Sequence, residues 1–182
     1  MRTDAGKIAG FAMLTALALV LGYFDRAIPL SAVLGGAVPG VKLGLANTVL
    51  LYGVYMLRPG ACVLLMLAKV LLSGFLFGSL SAVLYSLAGG VLSLAVMLAV
   101  SALTGRSKGF AVIVTSLAGA VFHNLGQILA AAAVLRTPRL LVTYLPVLAA
   151  VGAVVGCLTG VIARLVFRAI QRSPAAAGDP DR

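Results

Sequence analysis

Six apolar runs, most of them about as long as a bilayer is thick, fill the chain from Ile8 to Phe167, and almost no acid interrupts them. The 182 residues include four Asp and Glu, and between Lys7 and the C-terminal tail the one acid is Asp25. A chain that is 62% hydrophobic and 10% charged, with apolar stretches of this length, is built to be solvated by lipid. The expected fold is all-α: a polytopic membrane bundle of about six transmembrane helices.

Breaks at charge, Pro and Gly place the spans near Ile8 to Phe24, Leu43 to Leu57, Ala61 to Phe77, Ser81 to Leu103, Phe110 to Leu135 and Leu140 to Phe167. The second is short for a spanning helix, so it either begins earlier, inside the Gly-rich stretch from Gly35 to Gly44, or is tilted or broken there. Irregular backbone at membrane depth is tolerated where it is buried in protein or lines a cavity, which makes this segment a pointer to a site. Arg2 and Lys7 ahead of the apolar stretch Ile8 to Gly22 have the look of an export signal, but further spans follow and the stretch is read as a retained first span. Residues 1–172 are expected to form a single transmembrane domain, and 173–182, with Pro174, Gly178 and Pro180, a disordered tail.

The net charge of +10 does not indicate nucleic acid, because Lys and Arg sit at the ends of apolar segments and are not gathered on a soluble face. With six spans, Arg2, Lys7, Arg58, Arg106, Lys108, Arg164, Arg168, Arg172 and Arg182 share the side of the termini, while Arg26, Lys42, Arg136 and Arg139 lie opposite. This bias predicts a multi-pass membrane protein with both termini in the cytoplasm. Cys62 and Cys157 fall at or within apolar helices and read as small packing residues; a disulfide is not expected.

Polar residues stranded in apolar surroundings carry whatever chemistry there is. Lys69 lies eight residues into the third span, with Asp25 as its candidate protein partner. Lys42 and Asn47 flank a Gly-rich helix start, Pro39 to Asn47, where backbone can come close to an anionic ligand; the plainer reading is a tight outer loop with Lys42 reaching the head groups. Ser116, His123 and Gln127 form one polar stripe on the fifth span, with Asn124 beside it, and Tyr85 on the fourth span could stack on a planar ligand. One His and two Cys do not make a metal site, and no acidic pair exists to hold magnesium or to run acid–base chemistry. Covalent catalysis within this chain and a resident cofactor are not expected. Small residues spaced for close helix contact occur at Gly74 and Gly78 and at Gly152, Gly156 and Gly160, and Ala5, Ala9, Ala12 and Ala16 line the first span.

The segments Pro39 to Asn47 (PGVKLGLAN), Gly78 to Gly90 (GSLSAVLYSLAGG) and His123 to Gln127 (HNLGQ) resemble the bacterial Gx transporter family, also catalogued as heptaprenyl diphosphate synthase component I. The resemblance spans about residues 8–168. It implies kinship with the substrate-binding S components of energy-coupling-factor transporters: six helices, cytoplasmic termini, an outward ligand pocket, and small residues on the first helix that dock a membrane T component moved by two ATPases. Ala5 and Ala9, or Ala12 and Ala16, match that docking pattern. Prenyl-diphosphate synthases carry Asp-rich magnesium motifs that this chain lacks, so the enzymatic name fits at most a non-catalytic partner.

The expected function is therefore uptake-coupled binding of a small anionic molecule, vitamin-like or an isoprenoid or quinone precursor, at Arg26, Lys42, Asn47, Lys69, Tyr85, His123, Asn124 and Gln127. Positive charge around an apolar cavity favours such a ligand. The alternative is a non-catalytic membrane subunit in heptaprenyl diphosphate or quinone biosynthesis or in electron transfer. A cavity at the level of Lys42, Lys69 and His123 separates the first reading from the second.

Overall fold

The computed structural model describes residues 4–27, 45–77, 80–106 and 109–172. Lys42, the Gly35 to Gly44 stretch, Gly78 and the expected tail 173–182 lie outside them, as does the side chain of Arg26. Six helices are described: α1 (Asp4–Ala27), α2 (Asn47–Met56), α3 (Pro59–Phe77), α4 (Leu80–Leu103), α5 (Phe110–Val134) and α6 (Arg139–Arg172). They correspond one for one to the six apolar runs, within a few residues at each end. All except α2 are long and apolar enough to cross a membrane. At 1.5 Å per residue the described part of α2 is about 15 Å long, roughly half the hydrocarbon thickness.

Helix ends follow from local chemistry. Pro59 opens α3, where its fixed φ suits the first turn, and the Arg58 carbonyl accepts from Ala61 N at 2.9 Å and Cys62 N at 3.1 Å. Past the end of α4 the chain turns left-handed at Gly105 (φ 61°) and Arg106 (φ 54°), and Arg106 N reaches back to Ser101 O at 2.7 Å. The same closure ends α5: Arg136 is left-handed (φ 50°) and Thr137 N bonds Ala132 O at 3.0 Å. Arg106 does a second job. Its guanidinium donates to Val54 O, and to Leu57 O at 3.2 Å, placing a cation on the carbonyl end of α2.

Helix α5 is the axis of the bundle, with half of its span buried, and it packs between α4 and α6. Both contacts are backbone-close. A Cβ at Gly126 would stand 2.7 Å from Ala88 O and 2.8 Å from Gly89 Cα, and Cβ atoms at Gly152, Gly156 and Gly160 would meet α5 at 2.7 to 2.8 Å. The small-residue spacing on α6 is thus internal packing, as such motifs achieve in lipid, where the hydrophobic effect does not drive helices together. Ser93 adds a hydrogen bond from α4 to Gly119 O of α5 at 2.8 Å.

Helix α1 lies against α2 and α3 and leaves much of its surface open: Ile8, Met13, Leu17 and Val20 are exposed, with Ala5, Ala9, Ala12 and Ala16 on the same outward side. One apolar cluster joins α1, α2 and α3 to the ends of α5 and α6, where Phe167 stacks on Tyr52 (centroids 5.7 Å apart, 14° between planes) and tilts against Tyr55. A second cluster, at the other end, gathers Tyr85, Ile128, Ala131, Leu140 and Leu148.

Candidate functional site

Buried polar side chains concentrate where the α1–α3 group meets α4 and α5. Asp25, in the last turn of α1, is 3% exposed. Its two carboxylate oxygens accept from Leu45 N (2.9 Å) and Ala46 N (3.2 Å) at the start of α2. These amides have no intrahelical acceptor, so a carboxylate there satisfies them and complements the positive end of the helix. Asp25 also ties together the two ends of the 28–44 connection.

At the first residue of α2, Asn47 Oδ1 accepts from Lys69 Nζ at 2.7 Å, and both residues are 7% exposed. At the other end of that amide, Asn47 Nδ2 is buried and has no hydrogen-bond partner among the described residues. On α5, His123 and Gln127 are one turn apart and joined between their Nε2 atoms at 2.8 Å. Gln127 Nε2 donates there, which makes His123 Nε2 the acceptor and puts the imidazole proton on Nδ1.

These groups converge. A cavity with room for about 30 Å³ of water lies between the helices, walled by Ala18, Gly22 and Asp25 of α1, Ala46 before α2, Lys69, Val70 and Ser73 of α3, Ser86 of α4 and His123 of α5. A volume of this size holds a water molecule or two, and the polar lining can hydrogen-bond them.

Of the residues singled out from sequence, Lys69 and His123 line this cavity directly, and Asn47 and Gln127 hold them in place. Asn124 and Tyr85 are not among its described walls. Asn124 turns toward α6 and donates from Nδ2 to Leu148 O at 2.8 Å, and Tyr85 is buried in the second apolar cluster. The fifth-span stripe therefore divides by height: Ser116 bonds Thr159 of α6 at 2.9 Å, while His123 and Gln127 face α4 and the cavity. Ser73 escaped the sequence reading, and Asp25 was read as a partner for Lys69 and not as a wall of the cavity. A four-residue spacing could have found Ser73, since Lys69 and Ser73 share one face of α3.

Five helices long and apolar enough to cross a bilayer, glycine-mediated contacts between helices and a polar-lined cavity among them define a polytopic helical membrane bundle. The sequence profile of the family described as heptaprenyl diphosphate synthase component I matches residues 14–166, and the chain belongs to that family. No curated protein and no solved structure matches the chain.

Proposed function

We propose that the protein is a substrate-binding membrane subunit of the S-component type, which holds a small molecule bearing an acidic group for uptake. The observation that carries this reading is the convergence of Asp25, Lys69, Ser73, Ser86 and His123 from four helices on one cavity. Ionisable groups are expensive at membrane depth and collect where a ligand or ion is handled. Lys69 supplies the charge for the acidic group, and His123, its tautomer set by Gln127, supplies a neutral donor. The cavity has room for a water molecule or two, so a vitamin-sized or isoprenoid-precursor-sized ligand needs α1 and α3 to part from α4 and α5. Arg26, near the end of α1, and Lys42, outside the described residues, are kept in the same reading as further basic residues for the acidic group.

The test is thermal melting of wild type and Lys69→Met, each with and without the small molecule that copurifies from the host, identified by native mass spectrometry. Lys69→Met should abolish the ligand-induced rise in Tm and lower that of the empty protein modestly, because loss of a charged hydrogen bond costs about 1.5–3 kcal/mol. A fall in the empty protein with the ligand increment intact sinks the assignment. That result would favour the second reading, a non-catalytic subunit beside a prenyl-diphosphate synthase, for which the family description and the Lys69–Asn47 bond both speak.

The same reading sets both termini in the cytoplasm and gives the exposed alanines of α1 to a membrane partner of T-component type with its ATPases. In a background with Cys62 and Cys157 replaced, a cysteine at Thr137 should react with an impermeant reagent in intact cells, and cysteines at Ser107 or Ser173 should not. Labelling at Ser173 reverses the orientation.

A further inference from the structure

The end of the bundle away from the cavity carries arginines, and none of them is paired with an acid among the residues whose side chains are described. Arg106 sits on the carbonyl end of α2, and Phe167, stacked on Tyr52 and tilted against Tyr55 of the same helix, brings its neighbours Arg164 and Arg168 to that level. Arg58, between α2 and α3, is exposed there too. Asp25, the acid whose side chain is described, lies at the opposite end of α2.

Arg164 is the unusual member. It is half-buried, and its Nε–H is enclosed with no acceptor among the described residues. A buried guanidinium N–H without an acceptor costs free energy, which a charge-assisted acceptor on the open edge of the same guanidinium offsets. Arg168 follows four residues later on the same shoulder of α6 and is exposed. Around the two lies apolar surface: Val161, Ile162, Leu165 and Val166 of α6 are 44 to 57% exposed.

We propose that Arg164 and Arg168 form a binding site for the phosphate of an anionic phospholipid, whose acyl chains lie along the exposed apolar face of α6. The pairing of two arginines one helical turn apart with adjoining exposed apolar surface selects a molecule that has both a phosphate and a hydrocarbon tail; a soluble anion would use only half of it. At 34 residues, or about 51 Å, α6 is longer than the hydrocarbon layer is thick, so its C-terminal arginines reach head-group depth.

The test is native mass spectrometry of the full chain from mixed micelles containing equal phosphatidylglycerol and phosphatidylcholine. Wild type should retain the anionic lipid in about tenfold preference, and Arg164→Gln/Arg168→Gln should reduce this to about twofold or less. Arg164→Lys/Arg168→Lys should keep part of it, and Arg136→Gln/Arg139→Gln, at the other end, should keep all of it. Should the double Gln variant fail to fold, Arg168→Gln alone, at an exposed position, should lower the preference about threefold. An unchanged preference in the Gln variants overturns the site, as does an equal loss in Arg136→Gln/Arg139→Gln, which would mean net charge alone. Displacement of the lipid by millimolar inorganic phosphate would transfer the site to a soluble anion and overturn the lipid assignment.

Discussion

Replacing Asp25 by alanine should destabilise the protein by roughly 3 kcal/mol, the scale set by stripping acceptors from buried donors and a counter-charge from a buried cation. The carboxylate is 3% exposed and holds the Leu45 and Ala46 amides. Its removal leaves one buried and one partly buried N–H group without this acceptor and takes the negative charge from a cavity that also contains Lys69. Asp25→Asn keeps the shape and one acceptor oxygen, so its loss should be smaller, near half. Unfolding curves in detergent micelles give both values. If the alanine variant lies within about 0.5 kcal/mol of wild type, the range of an ordinary surface substitution, Asp25 is not a clamp on α2.

The second large effect is steric. Gly126→Val places a Cβ against the Ala88 carbonyl oxygen and Gly89 Cα, which are backbone atoms and cannot swing aside. Helices α4 and α5 must then separate, at roughly 3 kcal/mol, the upper part of the usual range for overpacking. Gln127 is the next residue, so the variant should also weaken any ligand held near His123. The contrast is Gly10→Ala on α1, where an added Cβ meets nothing within 4 Å. There the gain in helix propensity should leave stability unchanged or up to about 1 kcal/mol higher. Equal tolerance of both changes would mean that the α4–α5 contact is looser than described.

The number and placement of helices were legible because lipid-spanning segments must satisfy every backbone group internally and therefore announce themselves as long apolar runs. The weight given to Lys69, His123 and Gln127 also came from sequence, since any polar group stranded at that depth needs a reason. What sequence could not supply was direction. Asn124 is one residue from His123, about 100° around the helix, and that rotation alone turns it from the cavity toward Leu148. Asp25 has a sequence neighbour in Arg26 and a charge complement in Lys69, yet its described acceptors serve backbone amides twenty and twenty-one residues away. Backbone donors are invisible in a list of side chains. Ser73 was passed over because a serine in an apolar helix can bond its own backbone and needs no cavity.

The division of polar bonding between the two halves of the chain bears on how the protein is made. Asp25 bonds Leu45 and Ala46, and Lys69 bonds Asn47, all within the first three helices; Ser93, Ser116, Asn124 and Gln127 find their partners within the last three. During synthesis the N-terminal half emerges first and waits in the bilayer while the rest is translated. Asp25 and Lys69 each have a hydrogen-bonding contact at hand during that interval, so neither must sit bare in hydrocarbon until α5 arrives. Tyr55 with Thr115, and Arg106 on α2, are cross-half bonds that form only when the later helices dock. Truncated nascent chains ending after α3 should accordingly stay membrane-integrated and escape quality-control proteolysis, and the same chains carrying Asn47→Leu should not.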